Sequence, residues 1–305
     1  SVGALMYGDL LLSGGRPVQA GPNAFEDNRP RKLGRGLRSG AFFVVFACYA
    51  IVVIGLGQRL LVWPAIVLLP RKRTALVRAW LRLHARTILW MARVVGGVRF
   101  SIHGAIPRES CIVVMNHQSV LDIPIGVWLI PGPQTIIPTR DRYRRGVPGI
   151  SPLARLARFP FVSQGAGLSR VELRALLEAV GRVDRGDACL LLYPEGHRTR
   201  DGQIGSFMRG GLRIAFTRTS RPVYCVVADG MTSARTTREA LAQVAGRSVT
   251  VAIVGPFAPP ADRSPESTDA FIGMLHDTMT NALARMRGLG RHPEGHVDAS
   301  AIAAH

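Results

Sequence analysis

Residues 41–70, AFFVVFACYAIVVIGLGQRLLVWPAIVLLP, carry a single charge, Arg59. Arg29, Arg31, Lys32, Arg35 and Arg38 precede the stretch, and Arg71-Lys72-Arg73 closes it. The run 41–57 is at the short limit for a membrane span, and 60–70 is too short to span. As one helix the whole stretch would be roughly 45 Å long, more than the roughly 30 Å hydrocarbon core requires. Basic clusters at both ends favour the same, cytoplasmic side for both. A membrane hairpin over 41–74 that enters and leaves on one side meets both conditions. The polar, basic segment 1–40 ahead of it is unlike a cleaved signal peptide.

The rest of the composition agrees with a membrane-associated globular protein. Hydrophobic residues make up 47% of the 305 and charged ones 19%, with mean hydropathy +0.17, which excludes a disordered chain. The formal charge of +19 calls for a polyanionic partner: nucleic acid, an anionic membrane or phosphate-bearing substrates. No basic surface interleaved with aromatic residues is legible, so no nucleic acid partner is expected. Cys48, Cys111, Cys189 and Cys225 each lie in an apolar run without a Cys-x-x-Cys spacing and read as buried thiols. No cluster has metal-ligand spacing, so no metal is expected.

In 75–97, Arg78, Arg82, Arg86 and Arg93 fall on one side of a helical wheel, with Trp80, Leu81, Leu83, Ile88, Trp90 and Met91 on much of the rest. That reads as an amphipathic helix at an anionic membrane surface, or as the solvated face of a core helix. From residue 98 short apolar strands alternate with helices: VRFSIHG, CIVVM, TIIP, FPFV, ACLLLY, PVYCVVA and SVTVAIV. Ser169-x-x-Glu172 is a capping box opening a helix to about Gly181, and Ser264-Pro265 opens another reaching about Arg287. The pattern predicts an α/β domain over 98–288, followed by a tail at 289–305.

Two strand ends carry the chemistry. CIVVM runs into Asn116-His117-Gln118-Ser119-Val120-Leu121-Asp122. Five residues of helix rotate by about 500°, so His117 and Asp122 do not share a face of one regular helix. They meet if His117 sits in the strand-to-helix turn and Asp122 in the helix's first turn. Asp122 then fixes the imidazole tautomer, and the other ring nitrogen takes a proton from a hydroxyl. A capping box between Ser119 and Asp122 is the competing reading. The second strand ends in Tyr193-Pro194-Glu195-Gly196-His197-Arg198-Thr199-Arg200, a turn beyond a strand's carboxyl end where α/β sheets place ligands. Its arginines suit a phosphate.

Taken together, Asn-His-x-x-x-x-Asp and Pro-Glu-Gly-x-Arg resemble the glycerolipid acyltransferase family, of the 1-acyl-sn-glycerol-3-phosphate (lysophosphatidic acid) acyltransferase type, over about residues 75–255. The resemblance implies a glycerolipid-acyltransferase-like αβ sandwich with an N-terminal membrane-associated helical hairpin. It implies His117 as general base and Asp122 as its orienting partner, with acyl-CoA or acyl-carrier protein as co-substrate and no other cofactor. Glu195, Gly196 and Arg198 would help bind a phosphate-bearing lysolipid acceptor. Phe207-Met208-Arg209-Gly210-Gly211 is similar to the family's Phe-Lys-x-Gly segment, which brings in Arg209. The family's Phe-Ile-x-Arg block stands here as Phe161-Val162-Ser163-Gln164, so Gln164 replaces the phosphate-contacting arginine and Arg158 is the nearby charge. The threonine or serine usual after Pro-Glu-Gly is His197, and Cys225 stands where a proline is common. The expected activity is transfer of a fatty acyl group to lysophosphatidic acid on the cytoplasmic face of the cell membrane. Glycerol 3-phosphate or a lyso-aminolipid as acceptor, or a silent lipid-binding scaffold, are the alternatives. Backbone N–H groups near the strand-helix turn are expected to hold the oxyanion.

Overall fold

The structure is a computed structural model that describes residues 29–147, 149–163, 167–199, 201–231 and 244–288. Six strands form the main sheet in the order β1-β8-β7-β2-β6-β3. They are β1 (Arg99–His103), β2 (Ile112–Met115), β3 (Gln134–Ile136), β6 (Ala188–Leu192), β7 (Val223–Asp229) and β8 (Ser248–Phe257). β2 lies parallel between β6 and β7, β3 is parallel to β6, and the β7–β8 pair is antiparallel. β4 (Thr139–Arg140) and β5 (Phe161–Val162) form a separate parallel pair.

All four residues of β2 and all five of β6 are buried, as expected for strands covered on both faces. Alternate residues enter different cores. Val113, Met115, Cys189, Leu191 and Val226 pack on one face, and Ile112, Val114, Leu190, Cys225 and Val227 on the other. The first face is covered by α3 (Arg73–Val94) and α4 (Asp122–Leu129), the second by α6 (Arg170–Asp184), α7 (Arg209–Arg218) and α8 (Pro265–Met286). The result is an αβα sandwich.

Both helix starts legible in the sequence are formed. Ser169 accepts from the Glu172 N–H while Glu172 accepts from the Ser169 N–H, a complete capping box on α6. Ser264 caps α8 through the Ser267 N–H. Of the four cysteines, Cys111, Cys189 and Cys225 are buried, but Cys48 is exposed. Its apolar surroundings are those of an outward-facing helix surface, so it was not legible as accessible.

The N-terminal apolar stretch does not fold back at Gln58-Arg59. α1 (Arg29–Tyr49), a π-helical stretch Ala50–Val62 and α2 (Trp63–Leu68) follow without interruption. Within them, Gly36–Leu68 is long and apolar enough to cross a membrane. The chain turns at Leu69–Lys72, and α3 returns against the helix. Residues 41–68 of the expected 41–74 hairpin are therefore one continuous arm, and the turn at Leu69–Lys72 joins it to α3. Gln58 is buried on the inner face.

That inner face is a stripe in which Ala50, Ile54, Gln58, Val62 and Ile66, every fourth residue, are buried, with Phe42 buried two such steps earlier. In an α-helix each step of four residues overshoots a full turn by about 40°. A π-helix, at about 4.4 residues per turn, undershoots by about 33°. Alternating the two keeps one stripe against the domain for the helix's whole length. α5 (Ile150–Leu156) meets the stripe at Gly149, whose φ is +74° and where a Cβ would lie 2.5 Å from the Ala50 carbonyl oxygen. The opposite face exposes Val44, Ile51, Val52, Leu60, Leu61, Trp63, Val67 and Leu68.

α3 is less of a surface helix than its arginine stripe predicts. Val77, Leu81, His84, Ala85, Met91 and Ala92 are buried. Arg82 donates to the Ile130 carbonyl at 2.9 Å and Arg78 to the Gly132 carbonyl at 3.4 Å, just past α4. Arg86 and Arg93 remain exposed.

Candidate active site

β2 and β6 are parallel neighbours, so their carboxyl ends deliver the two motif turns to the same edge of the sheet. His117 lies in the turn and Asp122 is the first residue of α4. His117 Nδ1 and Asp122 Oδ2 are 3.0 Å apart. The same oxygen accepts the Gln118 and Ser119 N–H groups, each at 2.6 Å. Asp122 thus shapes the turn's backbone and holds the ring at once; only its own half of the capping box is formed, since Ser119 Oγ accepts from Leu121 and not from Asp122. Its carboxylate is fully buried, whereas the His117 side chain is 17% exposed and its Nε2 makes no hydrogen bond among the described residues.

The ring is held from behind. Tyr193 lies 4.5 Å from it, centroid to centroid, and donates its hydroxyl to the Asp122 carbonyl at 2.9 Å. Burial, reinforced by the Asp122 carboxylate, pushes the Tyr193 phenol well up, so it stays a donor. Asn116 faces the other way, bonding the carbonyl and N–H of Ala228 on β7 at 2.9 and 2.8 Å.

The second turn closes on the first through Glu195. Its Oε1 accepts the His117 N–H at 3.0 Å and its Oε2 the Gly205 N–H at 2.9 Å. Burial raises its pKa, and those two N–H groups oppose the shift. Glu195 is 2% exposed, and its place is that of a clamp between turns. Gly196 has φ +67°, a conformation that residues with a Cβ rarely adopt, and Met208 Sδ lies against the site of a would-be Cβ. Its carbonyl accepts from Arg140 Nε at 3.0 Å.

Arg140 was not singled out from the sequence. It ends β4, and its guanidinium lies close enough to Arg198 that, after burial and Arg142, the Arg198 charge helps lower its pKa. Arg140 thus adds a positive charge to the turn that carries Arg198. The signal available was a strand-like TIIP followed by Thr-Arg, ordinary by itself.

The other expected binding residues are placed differently. Arg158 follows α5 with φ +55° and lies near Arg73 and Arg182, by the start of β3, at the edge opposite His117. Arg209 opens α7 but pairs with Asp269 of α8 at 3.4 Å. Gln164 lies outside the described residues. The N–H groups of His117, Gln118 and Ser119 are all held by carboxylates, so the expected oxyanion donors are not these three. Among the described residues no group of three metal-binding side chains occurs.

A buried carboxylate against a partly open imidazole, with arginines at the adjoining turn, is equipment for deprotonating a hydroxyl next to an anionic group. Residues 97–229 match the family model described as Acyltransferase. The protein is an O-acyltransferase. It is 24% identical over 255 residues to a 1-acyl-sn-glycerol-3-phosphate acyltransferase of Limnanthes douglasii, covering 81% of this chain and 85% of that one. It is 28% identical over 144 residues to the Pseudomonas aeruginosa protein of the same name, covering 43% and 49%. The crystal structure of the 1-acyl-sn-glycerophosphate (LPA) acyltransferase PlsC from Thermotoga maritima has the same fold, with TM-score 0.62 and 20% identity, over 84% of this chain and 98% of that one.

Proposed function

We propose that this enzyme moves a fatty acyl group from a thioester donor, acyl-CoA or acyl-carrier protein, to the free hydroxyl of lysophosphatidic acid. The observation that carries the reading is His117, whose Nδ1 is fixed on Asp122 at 3.0 Å while Nε2 is open. Nε2 takes the acceptor's hydroxyl proton as the oxygen attacks the thioester carbonyl. The thiol leaves, and no acyl-enzyme is formed. Arg140 and Arg198 serve the acceptor phosphate, and the relatives' names support that acceptor.

Attachment is to one leaflet of the cell membrane at its cytoplasmic face. A helix packed lengthwise on a folded α/β domain cannot cross a bilayer without dragging polar surface with it. Its outward apolar face supports in-plane insertion instead.

The test is purified protein in detergent with labelled acyl-CoA, acyl-carrier protein and an acceptor panel of lysophosphatidic acid, glycerol 3-phosphate and a lyso-aminolipid. His117→Ala should lower turnover by about 10²- to 10⁴-fold in a folded protein. Near-normal turnover in that variant would sink the mechanism, and preference for another acceptor would replace the substrate.

A further inference from the structure

Behind the His117 turn lies a charged network that the chemistry above does not use. Gln118 is 3% exposed, and its Nε2 donates to Asp229 Oδ1 at 3.1 Å. Asp229 ends β7. Arg287, just past α8, grips it with two parallel bonds, Nη2 to Oδ1 at 2.7 Å and Nε to Oδ2 at 2.8 Å. Arg287 Nη2 also donates to the Gly202 carbonyl at 2.8 Å, in the loop that follows the Glu195 turn. Burial opposes ionisation of Asp229, but Arg287 and Gln118 hold its carboxyl below the usual range. A bidentate arginine–carboxylate pair has fixed geometry as well as strength.

The link to the site is short. The Gln118 whose side chain rests on Asp229 is the residue whose backbone N–H bonds Asp122 Oδ2 at 2.6 Å, the oxygen 3.0 Å from His117 Nδ1. Tethering the side chain fixes the peptide plane that carries this N–H.

We propose that Asp229 and Arg287 are positioning residues, which act through Gln118 to hold the Asp122–His117 pair in register. They touch no reacting atom. The inference rests on the reading of His117 as base only for its effect on turnover, not for its effect on the ring. The groups around the ring are Asp122 from α4, Tyr193 and Glu195 from the turn after β6, and His197 beyond Glu195. Asp229 and Arg287 reach it from β7 and the end of α8 through Gln118.

The test compares Asp229→Ala, Arg287→Ala, their double variant and Asp229→Asn in the full chain, with two readouts. The first is kcat and KM for lysophosphatidic acid and acyl-CoA. The second is the tautomer of His117, read from ring ¹⁵N shifts in ¹⁵N-histidine-labelled protein and assigned with His117→Ala. Each alanine variant should lose about tenfold in kcat, the scale of one hydrogen bond to a charged group, with both KM values within about twofold. The double variant should be no worse than the singles, because all three cut one chain of contacts. Asp229→Asn, which keeps an acceptor for Gln118, should recover most of the loss. The His117 tautomer should become mixed in the alanine variants. Unchanged kcat and an unchanged tautomer, even with a lower Tm, would overturn the proposal. A mixed tautomer with unchanged kcat would uphold the positioning role and sink His117 as the base. If Arg287→Ala does not fold, Gln118→Ala cuts the tether at its other end and is read in the same way.

Discussion

A carboxylate that holds backbone N–H groups from two different turns, and is nearly sealed from solvent, is poorly placed to greet a substrate. Glu195→Gln should therefore lower Tm while leaving KM for the acceptor within about twofold, a pattern opposite to that of a binding residue. An unsatisfied buried group here costs about 1–3 kcal/mol. Arg140→Ala should do the reverse, raising acceptor KM about tenfold, since a charge-assisted contact is worth about 1.5–3 kcal/mol. Steady-state kinetics beside thermal melts separate the two. His117 and Asp122 were legible because a buried strand ends abruptly in polar residues, and a turn removes the 3.6-residue periodicity that would have kept them apart. The role of Glu195 was not legible, because its partners are backbone groups at His117 and Gly205 that no side-chain pattern announces. Arg158 looked close in sequence to the phosphate block, but the reversal at its positive φ leaves it at the far edge of the sheet.

At the scale of elements, the hairpin interface contains a titratable lock. His84 on α3 is 2% exposed, lies 2.5 Å from the Tyr49 hydroxyl and is edge-on to Trp80 at 4.3 Å. Burial pulls its pKa down to about 4. The folded state therefore favours the neutral ring, so its contribution is intact above the unfolded value near 6.5 and is lost as pH falls through about 4. A shift of that size corresponds to about 3 kcal/mol. Wild type should lose stability between pH 6.5 and 4, and His84→Phe should flatten that slope even if its Tm at pH 7.5 is lower. Melting curves across the range would show it; parallel wild-type and variant profiles would discard the lock. The apolar character of this arm was plain in the sequence, but its turn was not. Gln58 and Arg59 are polar enough to suggest a break, yet a helix carries both by burying one and exposing the other.

For the molecule as a whole, the long N-terminal helix covers the domain along its buried stripe. Deleting residues 29–72 would uncover the inner surfaces of α3 and α5, so the truncated protein should aggregate, not become soluble. Outer-face changes such as Leu60→Glu with Trp63→Glu leave the packed stripe alone. They should keep the fold, by circular dichroism, while releasing the protein from anionic vesicles in a flotation assay. Retention of that double variant on vesicles would place the membrane contact elsewhere. The sheet's strand content was readable from apolar runs, but its order was not. Which runs become neighbours depends on side-chain fit across strands far apart in the chain, and β8 enters antiparallel.

The central strand has a consequence in time. Ile112 pairs with Leu190 on one side and Val223 on the other, both made long after it during synthesis. A ribosome that has delivered the His117 turn has delivered neither neighbour of the strand that carries it. That strand, apolar on both faces, must wait unpaired while a further stretch of chain emerges, a situation that slows folding and invites chaperones. The Glu195 clamp is missing for the same interval. The His117 turn thus reaches its folded geometry only once the sheet has closed on both sides of the strand that carries it.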